Sequence, residues 1–419
     1  MPKKHKIVEM TQKTIYNMSK MYFVNQRFCY WRKKDMYDIE KELDSDFDKA
    51  IAMYQEFPCL RKNVESYIPL IKRKVVGQDK AIKDLVYVAY YNQYMNFLEE
   101  YMSEYQGKRK SMFLIAPTGT GKTTMLKALE EAFDVPVYRA NVTAMTSAGY
   151  VGDKLENMLL GLLERAKGEL DIAERGILLI DEIDKKVIST TNERDVAGKS
   201  VQQELLKLFE DATVNVPLPE RYKGIEQAIG KNIPFHTGKL TIILAGACVG
   251  LDEIRDKRTR KTRIGFASKT EEKSVKSEEY TAQDLIDYGF IPELVGRISI
   301  IEEFKKLTKD DLIDIIYFSE ESAMQEGCRV LASLGVDSIS IDPLLWGRIV
   351  DEVDIEKLGV RDLNSKIEKL FMPIIFEAFQ HTRGGRLYVT ADGNFELTYL
   401  DENKKYTGKC ISFEKEEEE

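Results

Sequence analysis

Ala116-Pro117-Thr118-Gly119-Thr120-Gly121-Lys122-Thr123-Thr124 follows an apolar run, Met112 to Ile115, and leads into a segment of helix-forming residues. This order of strand, glycine loop and helix is what a phosphate-binding loop requires. Glycines at positions 119 and 121 let the backbone curl so that several N–H groups point at one phosphate. The motif usually begins with glycine, and the alanine found here is tolerable if its φ stays negative. We predict that this stretch binds the phosphates of a nucleotide.

The residue types within the loop suit a nucleotide that is bound together with Mg²⁺. Lys122 would reach the β- and γ-phosphates, and the hydroxyl of Thr123 would hold Mg²⁺. The helix that begins at Lys122 would add its free N–H groups and the positive end of its dipole. The candidate nucleotide-binding residues of this stretch are Pro117, Thr118, Gly119, Thr120, Gly121, Lys122, Thr123 and Thr124.

A second apolar run, Ile177 to Ile180, ends in Asp181-Glu182, about 60 residues after the glycine loop. A strand of only apolar residues suits a parallel sheet that is covered on both faces. Ligands of such sheets bind at the carboxyl ends of the strands. Asp181 would bind the water shell of Mg²⁺, and Glu182 would polarise the water that attacks the γ-phosphate. The two motifs together predict an ATP-hydrolysing enzyme of the α/β class.

Length and charge limit the other classes of protein to be considered. A chain of 419 residues favours two or three domains. The net charge of −8 disfavours nucleic acid as a partner of the whole chain, although residues 1–34 are strongly basic. No apolar run is long enough to cross a membrane, and the basic start lacks the apolar stretch of a secretory signal. We therefore expect a cytoplasmic protein with no membrane association.

Cysteine usage argues against a zinc site and against a disulfide framework. The five cysteines are far apart, and no C-x-x-C pair occurs. We expect no zinc cofactor. The cysteines are Cys29, Cys59, Cys248, Cys328 and Cys410.

Changes in composition along the chain predict its domain organisation. The first segment holds too many aromatic residues for a disordered tail, so we interpret it as a small helical module, with recruitment of substrates or adaptors as a functional alternative. A large domain with a parallel sheet follows, and a smaller α+β domain comes after it. The predicted units are residues 1–63, the N-terminal module; 64–306, the large ATPase domain; 307–412, the small domain; and 413–419, an acidic tail.

Three finer predictions concern single elements. Val135 to Tyr138 is interpreted as the second strand of the sheet. Leu251 to Lys276 is interpreted as a charged loop region with one apolar interruption, Ile264-Gly265-Phe266. Asp310 to Met324 is interpreted as a single helix.

Several further blocks resemble, in the same order along the chain, the ClpX family of AAA+ ATPases. Gly149-Tyr150-Val151-Gly152 resembles the pore loop of that family, and Ile264-Gly265-Phe266 resembles its peptidase-docking tripeptide. The segment from Phe290 to Arg297 resembles the arginine-finger motif, and Gly359-Val360-Arg361 resembles the sensor-2 motif. The resemblance covers roughly residues 65 to 410.

The resemblance implies a homohexamer, driven by ATP and Mg²⁺, that unfolds protein substrates and threads them into a ClpP-type peptidase. Tyr150 and Val151 would tip a mobile loop that grips an unfolded chain without reading its sequence. Flanking glycines, Gly149 and Gly152, would let this loop move with the state of the nucleotide.

The same resemblance assigns roles to residues outside the glycine loop. Arg297 would act on the ATP of the neighbouring subunit, and Arg361 on the phosphates of its own subunit. Ile264 and Phe266, joined by Gly265, would fill an apolar cleft on the peptidase. Small apolar residues ahead of such a domain often wall the adenine, which would be the role of Val75-Val76; a short core turn is the alternative.

Departures from the family pattern bear mainly on the choice of substrate. The family usually carries an N-terminal zinc module with paired cysteines, which this chain lacks. Glu220-Arg221-Tyr222-Lys223 only partly resembles the basic loop that guards the axial pore. Asp362 and Asn364 replace the glycine and arginine that usually follow the sensor-2 arginine. Ala245-Gly246-Ala247 offers no polar residue that would sense the γ-phosphate.

Two other functions stay open from the sequence. The first is a remodelling chaperone that works without a peptidase, in which only Ile264-Gly265-Phe266 would lose its role. The second is a DNA-acting AAA+ protein, which only the basic residues 1–34 support. The acidic total and the aromatic pore loop oppose this second function.

Overall fold

The computed structural model describes residues 56–101, 107–117, 119–145, 155–187, 196–219, 231–264, 279–355, 357–380, 385–400 and 406–411. Of the predicted N-terminal module, residues 1–55 lie outside this description. Phe57, Cys59 and Leu60 are buried against the first long helix of the chain. The predicted domain boundaries stay predictions.

Helices and strands alternate through the first group of elements. They are α1 Tyr67–Lys72, α2 Asp79–Tyr101, β1 Met112–Ile115, α3 Lys122–Phe133, β2 Val137–Asn141, α4 Leu155–Arg165, α5 Leu170–Glu174, β3 Ile177–Asp181, α6 Val196–Leu205, β4 Thr213–Pro217, β5 Asn232–His236, β6 Thr241–Gly246, α7 Leu251–Ile264, α8 Ala282–Tyr288, α9 Pro292–Val295 and β7 Ile300–Glu303.

Five of these strands form one parallel sheet in the order β2-β3-β6-β1-β7. Every residue of β1, β3 and β6 is buried, as expected for strands with helices on both faces. Alternate side chains enter two separate cores: Leu114 and Leu179 pack with α3, whereas Phe113 and Leu178 pack with α4. The α/β class with a parallel sheet is therefore confirmed. β4 and β5 form a separate antiparallel pair.

The second group of elements has its own sheet and its own core. Its four-stranded sheet has the order β11-β10-β9-β8, in which only the β8–β9 pair is parallel. Trp346 and Phe371 are among the large side chains buried in this core. The elements are α10 Lys309–Phe318, α11 Ala323–Ser333, β8 Val336–Ile341, α12 Pro343–Asp351, α13 Val360–Phe379, β9 Gly385–Val389, β10 Phe395–Leu400 and β11 Tyr406–Ile411.

The prediction of a charged loop from residue 251 was wrong over its first part, because α7 runs from Leu251 to Ile264. The charged side chains of this helix are matched by partners on other elements. Arg258 donates two hydrogen bonds to the buried carboxylate of Asp284, at 2.8 and 3.0 Å. The guanidinium of Arg255 lies over the ring of Tyr280, with 4.6 Å between its central carbon and the ring centroid. A helix stabilised in this way lacks the apolar periodicity on which the prediction depended.

Two other predicted elements have different bounds. The helix expected over residues 310–324 is two helices, because Ser322 caps the start of α11 by accepting a hydrogen bond from the N–H of Gln325. The second strand begins only at Val137, since Pro136 has no N–H to donate to the sheet. β4, β5, β7, β8 and β11 were not predicted. Among the described helices, none combines the length and apolar composition that crossing a membrane would need.

Replacing Gly327 by Ala is expected to destabilise the second group of elements. A methyl group there would lie 2.4 Å from the ring of Phe371 on α13, and such overpacking typically costs about 1–3 kcal/mol of unfolding free energy. Gly347→Ala in α12 is the matched control, because no heavy atom lies within 4 Å of the added carbon. Chemical denaturation followed by circular dichroism would compare them. A Gly327→Ala protein as stable as the control would contradict this packing.

Candidate nucleotide site

The glycine loop extends β1 and then turns into α3. The N–H of Ala116 donates to the carbonyl of Gly246 at 2.9 Å, so the alanine continues the pairing with β6. Its φ is not positive, which explains why alanine is accepted here. Gly119 and Gly121 have φ of 78° and 92°, which side-chain-bearing residues rarely adopt. The Thr120 hydroxyl donates to the carbonyl of Pro117 at 2.7 Å and closes the turn.

Two cations hold the buried carboxylate of Asp181 at the end of β3. The Nζ atom of Lys122 lies 2.6 Å from Oδ1 of Asp181. Arg139 on β2 donates from Nη2 and Nε to Oδ2 of the same residue, at 2.5 and 3.1 Å. The backbone N–H of Glu182 completes the set with a hydrogen bond of 2.8 Å to Oδ1.

This arrangement keeps Asp181 ionised although its side chain is only 1% exposed. Burial alone would raise the pKa of Asp181. The hydrogen bond and charge of Lys122, followed by the hydrogen bond from Arg139, outweigh burial, so that the pKa lies below its ordinary value. An ionised carboxylate at the carboxyl end of a parallel strand is a suitable acceptor for the water shell of Mg²⁺.

Glu182 follows Asp181 in a left-handed conformation, with a φ of 59°. Its Oε2 accepts a hydrogen bond of 3.1 Å from the side-chain amide of Asn141. The other end of this amide is also fixed, because Oδ1 of Asn141 accepts from the N–H and the hydroxyl of Thr143, at 2.8 and 2.7 Å. The carboxylate of Glu182 is thus oriented by the neighbouring strand. Such an orientation suits a base that polarises one water molecule.

Mg²⁺ would be held here by Asp181, through water, and by the hydroxyl of Thr123. This donor set fits the ion, because Mg²⁺ commonly uses one or two carboxylates together with substrate phosphates. Within the described part of the chain, no group of three or more His, Cys, Asp or Glu residues could hold a metal ion by itself.

A buried acid lies beside the end of β6, where the sequence offers no polar residue as a candidate γ-phosphate sensor. A Cβ atom at Gly246 would lie 2.7 Å from Oδ1 of Asp184, so the glycine leaves room for this carboxylate. Asp184 is 6% exposed, and its Oδ1 has no hydrogen-bond partner among the described residues. Burial, with the charge of Asp184, raises the pKa of the nearby Cys248 thiol.

Val75 and Val76 lie where the two groups of elements meet. Val75 is buried in the core beside α3, whereas Val76 packs against the core of the second group. A Cβ atom at Gly121 would come within 3.8 Å of Val75, which places this valine next to the glycine loop. A cavity of about 650 Å³ is lined by Val75 and Val76 but by none of the described glycine-loop residues.

The second group also contacts the glycine loop directly, through the segment before α13. The N–H of Val360 donates to the carbonyl of Gly119 at 3.0 Å. The contact is close enough that a Cβ atom at Gly119 would lie 2.0 Å from the carbonyl oxygen of Leu358. Arg361 is the next residue after Val360, and its side chain is exposed. The structure thus brings the predicted sensor-2 segment to the glycine loop.

Arg297 lies apart from this cluster. Its Nη2 atom is 3.4 Å from Oε1 of Glu210, and its side chain is half exposed. An exposed ion pair of this kind contributes little to stability, so the arginine is available to another partner.

Several predicted site residues fall outside the described residues: Thr118, Gly149, Tyr150, Val151, Gly152, Gly265 and Phe266. Ile264 is the last residue of α7. The sequence analysis missed Arg139 and Asn141. A usable signal was present, since both are polar residues towards the carboxyl end of a strand in an α/β sheet.

Comparisons with known proteins identify the family to which this chain belongs. Residues 108–301 match the model of the AAA domain (Cdc48 subfamily). The ATP-dependent Clp protease ATP-binding subunit ClpX of Borrelia duttonii (strain Ly) is 35% identical over 332 residues, which are 77% of this chain and 76% of that protein. The protein of the same name from Treponema denticola is 35% identical over 315 residues, 73% of this chain and 74% of that protein. This chain therefore belongs to the ClpX family of AAA+ ATPases and hydrolyses ATP.

Proposed function

We propose that this chain is the ATP-driven unfoldase subunit of a two-component protease. A hexamer of the chain would thread substrate proteins through its pore into a ClpP-type peptidase. The observation that carries the proposal is that Lys122, Asp181 and Glu182 converge at one edge of the sheet, where Val360 also contacts the glycine loop. The nucleotide site is thus in direct contact with the second group of elements.

Each part of the site would have a different role in the binding and hydrolysis of ATP. The glycine loop and the start of α3 would bind the phosphates, and Lys122 would leave Asp181 to reach the β- and γ-phosphates. Mg²⁺, when bound, would neutralise charge that develops on the phosphates. Glu182, oriented by Asn141, would accept a proton from the attacking water.

Hydrolysis would be coupled to movement through contacts between the two groups of elements. The hydrogen bond from Val360 to Gly119 joins α13 to the loop that binds the phosphates. The segment before α2 also contacts the second group, because the hydroxyl of Ser319 donates to the carbonyl of Lys74 at 2.7 Å. A change of phosphate occupancy at Gly119 would therefore shift the second group as a body.

The hexamer and the in-trans role of Arg297 are supported by exposure and by the family. Arg297 is half exposed, and its partner Glu210 is similarly exposed, so the arginine can leave this ion pair at little cost. It would then supply positive charge to the ATP of a neighbouring subunit. Arg361 would act on the phosphates of its own subunit.

Contacts with substrate and peptidase rest on the sequence and on the relatives. The ClpX proteins from Borrelia duttonii and Treponema denticola are named as ATP-binding subunits of the Clp protease. The segment Gly149 to Gly152 would grip the substrate, and Ile264-Gly265-Phe266 would dock on the peptidase.

Replacing Glu182 by Gln is expected to lower ATP turnover by about a hundredfold or more and to leave ATP binding intact. The amide cannot accept the proton of the attacking water, but it keeps the shape of the side chain. Phosphate release and binding of a fluorescent ATP analogue would be measured on the same preparation. Glu253→Gln, an exposed substitution on α7, is the control and should behave as the wild type. Near-normal turnover in the Glu182→Gln protein would contradict the assignment of the base.

Replacing Phe266 by Ala is expected to abolish degradation of a folded, tagged reporter in the presence of a ClpP-type peptidase. ATP turnover should change by less than about twofold, because the docking tripeptide is not part of the nucleotide site. Phe318→Ala is the control, since Phe318 is an exposed phenylalanine on α10. Reporter fluorescence and ATP turnover would be followed together.

The wild-type reaction separates the proposed protease subunit from the chaperone. ATP-dependent loss of reporter fluorescence without degradation would favour the remodelling chaperone. Degradation that survives Phe266→Ala would contradict the docking role.

A further inference from the structure

Both oxygens of the Asp181 carboxylate are occupied by cationic side chains of the same chain. Lys122 lies 2.6 Å from Oδ1, and Nη2 of Arg139 lies 2.5 Å from Oδ2. Parallel pairing sets Asn141 beside Asp181 in adjacent strands. Arg139, two residues before Asn141, therefore lies on the same face of the sheet and reaches along it to the carboxylate. β2 is the edge strand, and the Arg139 side chain is 44% exposed.

The two cations differ in what a bound nucleotide would offer them. The phosphates give Lys122 a new partner, which is the role of the lysine in a P-loop. The motif gives Arg139 no such partner. Its planar guanidinium matches the geometry of a carboxylate, so Arg139 keeps Asp181 as its partner unless another group displaces it. Mg²⁺ and its water shell would be held by the same carboxylate that Arg139 contacts, so the ion and the arginine would compete for Asp181.

We propose that Arg139 is a positioning residue that competes with Mg²⁺ for Asp181 and so sets the concentration of Mg²⁺ that nucleotide binding requires. This inference rests on the proposed nucleotide site. Before the ion binds, Arg139 holds the carboxylate in place at the edge of the sheet. When Mg²⁺ and nucleotide bind, Arg139 moves from Oδ2 towards solvent, which its partial exposure allows. The arginine therefore weakens nucleotide binding that depends on Mg²⁺ and does not weaken binding without Mg²⁺.

If Arg139 had only a structural role, a different result would be expected. The contact between Arg139 and Asp181 also joins β2 to β3, so its loss could simply lower stability. In that case, the midpoint of unfolding would fall, and the Mg²⁺ requirement would stay the same. The Mg²⁺ requirement of binding is thus the readout that separates the two roles.

The test compares wild type with Arg139→Met in the full chain. A fluorescent ADP analogue is titrated at a series of Mg²⁺ concentrations and in EDTA. We expect the half-saturating Mg²⁺ concentration to fall by about fivefold, on the scale of one partly exposed ion pair. Affinity in EDTA should be unchanged or weaker, because a positive charge near the phosphates has been removed. ATP turnover against Mg²⁺ should shift by the same factor.

Two further variants serve as comparisons for the Arg139→Met protein. Arg165→Met removes another partly exposed arginine ion pair, with Glu130 at 2.5 Å, and should leave the Mg²⁺ requirement unchanged. Arg139→Lys keeps the charge but loses the two-pronged contact, so its requirement should fall between those of wild type and Arg139→Met. A lysine variant that needs less Mg²⁺ than Arg139→Met would overturn the competition, because it keeps a cation beside Asp181.

An unchanged or increased Mg²⁺ requirement in a folded Arg139→Met protein would also overturn the inference. Wild-type protein that binds no nucleotide, with or without Mg²⁺, would instead contradict the proposed nucleotide site. The failure of this inference and the failure of the proposed function are therefore distinguishable.

Discussion

The ion pair between Lys122 and Asp181 is the interaction on which the rest of the site depends. It joins the first residue of α3 to the last residue of β3. Both elements are fixed by burial, since β3 lies inside the parallel sheet and α3 packs on one face of it. Burying an unpaired carboxylate costs folding free energy. The carboxyl end of β3 therefore requires a cationic side chain when no metal ion is bound. The same buried negative charge makes the carboxyl end of β3 suitable for binding Mg²⁺ together with a nucleotide phosphate.

Asp181 and Glu182 are held in place by different groups on the neighbouring elements. Asp181 is held by cations, whereas Glu182 is held by the neutral amide of Asn141. Two adjacent carboxylates can therefore serve different purposes, one as an ionised partner for a metal ion and the other as a base. The second group of elements contacts the glycine loop through Val360. The proposed chemistry and the proposed movement would therefore be linked at one short stretch of backbone.

The sequence predicted correctly those elements whose formation depends on residues that are close together in the chain. The strand before the glycine loop begins and ends as predicted, and α3 begins at Lys122, because an apolar run and a turn of glycines are signals within a few residues. α7 was missed, because its charged residues are matched by distant partners such as Asp284. Arg139 was missed for a related reason: its importance depends on the adjacency of β2 and β3, which no short pattern contains.

The central claim is that the charge of Lys122 serves the nucleotide, and calorimetric titration of ATP into a Lys122→Met protein tests it most directly. The account predicts that affinity falls by about tenfold or more, as expected when a hydrogen bond to a charged group is lost. Lys127→Met, an exposed substitution on the same helix, should bind ATP as the wild type does. Equal affinities in the two variants would contradict the account.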